Sequence, residues 1–189
     1  MHRIVFTGAQ GTGKTTILNY FRDQNMNVIT EVVRELAKKG VKINKDGDEK
    51  GQTAIFKEYE AKLGEITQEG YISDRCLIDV LAYTKYLFDT GKVSEKFLNK
   101  QFKQVQKFCA ANPDITYCYF PIEFAVEADG VRDLDEEFRT SIDQNIQSIL
   151  TDLRITPIVI QGSVEDRIKK VTRVYNWLTE GMKLYLNID

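Results

Sequence analysis

Residues 8–16 read Gly-Ala-Gln-Gly-Thr-Gly-Lys-Thr-Thr and follow the apolar run Ile4-Val5-Phe6. The chain has 12 glycines, and three of them fall in this short stretch. A flexible turn needs glycine but has no use for the lysine and threonines that come next. Gly8 to Thr15 match GxxxxGK[ST] at every fixed position, with a strand-like run before and a helical pattern after. Gly8, Gly11 and Gly13 let the backbone curl so that successive N–H groups point at phosphate oxygens. The helix that follows aims its positive N-terminal end at the same place. Lys14 is expected to reach the β- and γ-phosphates, and the Thr15 hydroxyl to ligate Mg²⁺. A nucleoside triphosphate is therefore expected to dock over Gly8–Thr16, with Gln10, Thr12 and Thr16 part of the cradle. The motif leaves the reaction open.

At 189 residues the chain can bury one sizeable core and is short for two. Its net charge of −2 gives no support for duplex binding, which usually brings a strong basic excess. No apolar run approaches the roughly 20 residues that span a bilayer, so no membrane partner is expected. A strand begins within three residues of the N-terminus and leaves no room for a signal peptide, which predicts a cytoplasmic protein. Cys76, Cys109 and Cys118 are odd in number and lack CxxC spacing. They are read as free, mostly buried thiols of a reducing compartment. His2 is the single histidine, which rules out most histidine metal sites and Ser/His/Asp catalysis. Carboxylates, arginines, lysines and a bound ion are left to do the chemistry.

Strand-like and helix-like segments alternate. Strands are expected at Arg3–Thr7, Asn27–Thr30, Tyr71–Ser73, Ile115–Phe120 and Pro157–Ile160. Helices are expected over Gly13–Gln24, Val32–Lys39, Thr53–Gln68, Leu77–Phe88, Ser94–Ala111 and Leu134–Leu153, with a last one from a Ser163–Asp166 capping box to Leu178. Residues 40–51, polar and glycine-rich, predict an exposed mobile loop, and Pro121–Val131 an irregular stretch. There is no repeat, low-complexity tract or linker. The expected fold is one α/β domain with a parallel sheet covered on both faces.

The rest of the chain must choose among switch, motor and kinase. Asn44-Lys45-Asp46-Gly47 misses the NKxD element of a guanine-specific switch by one residue. Asp48-Glu-Lys-Gly51 fits DxxG, but no strand precedes it. An AAA-type or helicase motor needs four apolar strand residues ending in Asp-Glu, and none is present. A small-molecule kinase remains.

Parallel α/β sheets carry their sites at the carboxyl ends of strands. There stand Thr30-Glu31 with Arg34 close behind, and Ser73-Asp74-Arg75. Two carboxylates and two arginines are expected near the γ-phosphate, as phosphoryl transfer requires. Asp74 is the candidate for Mg²⁺, with general base as its second possible role. Glu31 is the candidate for binding or deprotonating an acceptor hydroxyl. The plainer alternatives are an i,i+3 surface pair for Glu31 and Arg34 and a helix N-cap for Asp74. After the fourth strand come Asp129-Gly130-Val-Arg132-Asp133 and then Arg139. Arg132 and Arg139 would share a face of a continuous helix and could serve a closing lid, or simply pair with the acids around them. Arg167, after the fifth strand, is placed to contact adenine or to be a solvated first-turn charge.

The ordered set GxxxxGKTT, Thr30-Glu31-Val-Val-Arg34-Glu35, Ser73-Asp74-Arg75, Asp129-Gly130-Val-Arg132 and Gly162-Ser-Val-Glu-Asp-Arg167 resembles the ribosylnicotinamide kinase-like P-loop kinases. That group is related to deoxynucleoside and thymidylate kinases, and the resemblance runs over residues 3–178. It implies ATP·Mg²⁺-dependent transfer of a γ-phosphate to a nucleoside- or nucleotide-like acceptor. It also implies a five-stranded parallel sheet in the order 2-3-1-4-5 with a small lid, roughly residues 121–140. By position, Gly8 to Thr15 would bind ATP, Asp74 would serve Mg²⁺ or proton transfer, Glu31 and Arg34 would face the acceptor, and Arg132 would lie in the lid. Arg75 directly after Asp74 departs from the pattern toward the Asp-Arg of nucleotide monophosphate kinases.

A hydroxyl acceptor needs a carboxylate base, whereas a monophosphate mainly needs arginine clamps such as Arg34 and Arg75. Both sets are present. Two other classes stay open: a kinase acting on a polynucleotide 5′ end or modified base, using a patch of Lys38, Lys39, Lys42 and Lys45, and an ATP-binding regulator that is not a kinase.

Overall fold

Five parallel strands lie side by side in the order β2-β3-β1-β4-β5 in the computed structural model, which describes residues 2–30, 32–65, 70–124 and 135–186. The strands are β1 (Arg3–Thr7), β2 (Val28–Ile29), β3 (Tyr71–Ser73), β4 (Ile115–Tyr119) and β5 (Ile158–Val159). Seven α-helices are seen among the described residues: α1 (Lys14–Asp23), α2 (Val32–Lys38), α3 (Glu49–Gly64), α4 (Leu77–Asp89), α5 (Glu95–Ala111), α6 (Glu136–Asp152) and α7 (Val164–Leu186).

β1 is buried at all five positions, as a central parallel strand must be when helices cover both faces. Its alternation sorts the core. Ile4 and Phe6 pack with Ile17, Leu18 and Phe21 of α1 and Val171 of α7. Val5, on the opposite face, joins Ile55, Tyr59, Leu77, Leu81, Val105 and Ile142 from α3 to α6. The sheet is anchored below by Arg3, whose Nε donates to Asp114 Oδ2 at 2.8 Å and Nη1 to Asn112 Oδ1 at 2.8 Å. From β1 the chain crosses to one side for β2 and β3 and to the other for β4 and β5. The carboxyl ends of β1, β2 and β3 lead into the residues that line the cleft described below.

Residues 40–51 depart from the open loop expected of them. A 3₁₀ turn at Asn44–Asp46 leads into α3, which starts at Glu49 rather than Thr53. The DxxG match is a helix N-cap: Asp48 Oδ1 accepts from the Gly51 N–H at 2.8 Å. Gly51 is buried because the chain passes close by, and a Cβ there would sit 2.6 Å from the Lys42 carbonyl oxygen. Charge ties the segment down as well, Lys42 pairing with Asp48 at 3.4 Å and Lys45 with Asp135 at 2.6 Å. The basic patch expected there is thus partly neutralised.

Boundaries elsewhere move modestly. α3 ends at Gly64 and α6 begins at Glu136, while α7 opens at the expected capping box of Ser163 and Asp166 and runs on to Leu186 rather than Leu178. Most of the expected lid, residues 125–134, lies outside the described residues, as does Glu31. Among the described residues no helix is long and apolar enough to cross a membrane.

Candidate active site

The loop between β1 and α1 is held by cations along its carbonyls. Lys14 Nζ donates to the Gly8 and Ala9 oxygens at 2.5 and 2.6 Å and to Thr12 Oγ1 at 3.1 Å. Arg139 Nε donates to the Gln10 oxygen at 3.0 Å and its Nη2 to the Gly11 oxygen at 3.4 Å. Arg167 Nη1 donates to the Thr12 oxygen at 2.6 Å. Five consecutive peptide planes are thereby fixed before α1 begins, and the N-cap Gly13 takes φ 84°, a left-handed conformation that suits glycine. Gly8 approaches Phe120 so closely that a Cβ would collide with its carbonyl oxygen.

Lys14 is 6% exposed, and burial depresses its ammonium to about 7, with the Arg75 charge adding to the effect. Asp79, Asp74 and Asp143 work the other way. An anion brought to this loop would stabilise the charged lysine.

At the ends of β2 and β3 the Thr30 hydroxyl donates to Asp74 Oδ2 at 3.0 Å. Asp74 Oδ1 is buried and accepts no hydrogen bond among the described residues. Burial pushes the Asp74 carboxyl up, while Arg75, the Thr30 hydrogen bond and Lys14 pull it back. Arg75 lies over the Tyr83 ring at 5.5 Å, and its buried Nη1, like the Tyr83 hydroxyl, has no hydrogen-bond partner among the described residues. Buried polar atoms without partners are rare in folded proteins, so three of them around one cleft mark a place where a polar ligand fits.

That cleft has a volume of about 190 Å³. Gly11, Gly13, Lys14 and Thr15 line it together with Asp74 and Arg75. The same cleft is lined by apolar Val33, Ile43, Ile55 and Val80, by Tyr59 and Tyr83, and by two amides, Asn44 and Gln52. Gln10 and Arg34 also face it. The predicted residues Gln10, Gly11, Gly13, Lys14, Thr15, Arg34, Asp74 and Arg75 are therefore brought together.

Others are not. Thr16 is exposed on α1, and Thr12 turns inward to the Ala9 oxygen at 3.0 Å. Arg167 does not face solvent. It is 2% exposed, donates to Gly162 and Thr12 and pairs with Glu123, so it braces the loop from behind. Arg139, expected beside Arg132 in a lid, is likewise buried against the loop. Glu31 and Arg132 lie outside the described residues.

Asp79 and Tyr83 escaped the motif reading, and Arg139 was read for the lid rather than for the loop carbonyls it holds. A signal existed for the first two: Arg75, Asp79 and Tyr83 follow one another at four-residue spacing, one face of α4 and the turn before it.

Sheet order, loop and crevice together define a P-loop α/β domain. The chain belongs to the AAA domain family, which matches residues 3–167. What it lacks is the Asp-Glu strand end of a motor, where Ser73-Asp74-Arg75 stand instead. No curated protein matches it in sequence. Its fold is similar to that of deoxyadenosine kinase from M. mycoides with products dCMP and dCDP bound, at 16% identity over 92% of this chain and 98% of that one, with a TM-score of 0.66. It is also similar to NadR protein in complex with NR, at 16% identity over 94% of this chain and TM-score 0.72. A NadR complex with NAD and AMP-PNP gives 14% identity, 94% coverage and TM-score 0.69. The chain spans about half the length of NadR, 52% and 50% in the two complexes. The resemblance in the motifs is thus matched by a resemblance in fold.

Proposed function

We propose that the chain is an ATP·Mg²⁺-dependent phosphotransferase whose acceptor is nucleoside- or nucleotide-like. The observation that carries this reading is the single cleft in which Lys14 and Thr15 face Asp74 and Arg75. A site for nucleotide hydrolysis alone has no need of the apolar lining with its two tyrosines and two amides. Ring-lined apolar walls with a few amides suit a flat heterocycle. The neighbours in fold carry nucleosides, nucleotides or an ATP analogue, which agrees.

In this reading the N–H groups of Gly11 to Thr15 and the Lys14 ammonium receive the triphosphate, and Arg139 and Arg167 keep the loop in shape for it. Thr15 and Asp74 line the same cleft, and the unpartnered Asp74 Oδ1 fits a cation. Among the described residues no group of three or more His, Cys, Asp or Glu could hold a metal, so phosphate oxygens and water would complete the shell around Mg²⁺. The ion supplies charge neutralisation on the phosphates. The acceptor oxygen attacks the γ-phosphorus, the bond to the β–γ bridging oxygen breaks and ADP leaves. A hydroxyl acceptor would give its proton to Asp74 or Glu31, while Arg75 and Arg34 offset charge on the transferring group or on an acceptor phosphate. Arg132 would act from the lid.

Asp74→Asn and Arg75→Ala test this division of labour. Both are expected to bind ATP within a few-fold of wild type while phosphoryl transfer falls by about 10²–10⁴. Transfer at wild-type rate by both variants would refute it.

A second reading, a polynucleotide acceptor, is favoured by α5. Lys96, Lys100, Lys103 and Lys107 form one stripe on that helix, with Asn99 and Gln104 among them. The four make no ion pair among the described residues. Oligonucleotide binding that falls steeply with salt and weakens when these lysines are changed would select it.

A further inference from the structure

Asp79 is 1% exposed and has two oxygens doing separate things. Oδ2 accepts the Cys76 N–H at 3.0 Å and the Cys76 thiol at 3.3 Å, which closes the first turn of α4. A helix N-terminus asks no more than this of its third residue. Oδ1 is engaged elsewhere. It accepts the Gly8 N–H at 3.2 Å, from the root of the phosphate loop, and lies 3.7 Å from Arg75 Nη1.

We propose that Asp79 is a positioning residue for phosphoryl transfer, whose Oδ1 joins the root of the phosphate loop to the arginine on the acceptor side. This rests on the function proposed above. Gly8 is pinned from two directions, by the Phe120 carbonyl packed against it and by Asp79 Oδ1 through its N–H. The loop cannot then slide along β1. At 3.7 Å the contact with Arg75 is an ion pair and too long for a hydrogen bond. The guanidinium is therefore held in place by charge and by the Tyr83 ring while its Nη1 donor stays uncommitted and buried at the cleft. One carboxylate sets both halves of the site in a common frame, and a displacement of about 1 Å between reacting groups costs about 100-fold in rate.

The test compares Asp79→Asn and Asp79→Glu, each alone and with Arg75→Lys. Asparagine keeps an oxygen for the Cys76 cap but turns an amide NH₂ toward Gly8 or loses the cap, and removes the charge beside Arg75. Glutamate is the usual capping-box residue and keeps the charge, so it preserves the helix start while moving the carboxylate away from Gly8. Both variants are expected to lower kcat about 100-fold per folded molecule and to weaken ATP binding. Little further loss is expected once Arg75→Lys is present, because the two residues act as a unit. Lower melting temperature with unchanged kcat would reduce Asp79 to a helix cap and overturn the proposal, as would losses that multiply with that of Arg75→Lys. A loss equal to that of Lys14→Ala, with ATP affinity intact, would place Asp79 on the reacting atoms and also overturn it. ATP affinity is read without any acceptor, so the Asp79 result stands apart from the acceptor question. If wild type binds ATP and phosphorylates nothing, the proposed function fails while the effect of Asp79 on nucleotide affinity still decides its role at the loop.

Discussion

Arg139 Nε donates to the Gln10 carbonyl at 3.0 Å, a contact between residues 129 positions apart that ties the start of α6 to the phosphate loop. The guanidinium is 1% exposed and also reaches the Gly11 oxygen and Glu136. Arg139→Ala would strand two loop carbonyls. The expected outcome is a loss of about 1–3 kcal/mol in a denaturant melt, accompanied by weaker nucleotide binding. A variant as stable as wild type with unchanged affinity would show that the brace does not shape the loop.

Lys14 links nucleotide binding to pH. Its ammonium is depressed to about 7 chiefly by burial, so near pH 8 much of it is neutral. Phosphates drawn to the loop favour the charged form, and binding must then take up a proton. Affinity is expected to fall as pH rises above about 7. Calorimetric titrations at pH 8 in two buffers of different ionisation enthalpy should differ by the heat of that uptake; equal heats would contradict it. The sign for folding is opposite to that of a stabilising lysine. The depressed value costs stability below about pH 7, and the cost is relieved as pH climbs toward the ordinary lysine value of 10.5.

The Thr30 hydroxyl favours the ionised form of Asp74, whose carboxyl burial otherwise raises. Thr30→Val removes that donor and keeps the shape. The acid limb of the pH–rate profile is expected to move to higher pH, with the plateau little changed if the reaction needs only the carboxylate. No movement of the limb would mean that Asp74 does not titrate in turnover.

Gly51→Ala probes the segment before α3. The added methyl would lie 2.6 Å from the Lys42 carbonyl oxygen, so the turn or the helix must shift. About 1–3 kcal/mol of stability should be lost. Because Ile43 and Asn44 from this segment line the cleft, KM for the acceptor should rise more than KM for ATP. A uniform fall in kcat without that split would detach the segment from the acceptor side.

What could be seen in the sequence was local. The apolar strand, the glycines and Lys14-Thr15 carry their geometry in adjacent residues, so the loop was legible, whereas the sheet order came only with the resemblance of the ordered motifs to a known family. Asp74 and Arg75 were legible because a strand end fixes where they stand. Gly47 and Gly51 misled, since a glycine that permits close packing looks in sequence like one that permits flexibility. Asp48 as an N-cap sits three residues before the glycine it caps, and the intervening charges hid it. Arg139, Arg167 and Asp79 reach the phosphate loop across 128, 155 and 71 positions, and the loop atoms they meet are backbone atoms, which leave no trace in side-chain pattern. The place of Arg167 after the fifth strand could be read from the sequence, but not that its guanidinium donates to the Thr12 carbonyl and pairs with Glu123.

The central claim is that this cleft moves a phosphoryl group from ATP to a nucleoside- or nucleotide-like acceptor. The most direct measurement is the mass of each member of a panel of nucleosides, mononucleotides and oligonucleotides after incubation with ATP and Mg²⁺, with Lys14→Ala in parallel. The account predicts one phosphoryl group gained by an acceptor with wild type and none with the variant. Transfer by Lys14→Ala at near the wild-type rate, or ATP consumed by wild type with every acceptor unchanged, would contradict it.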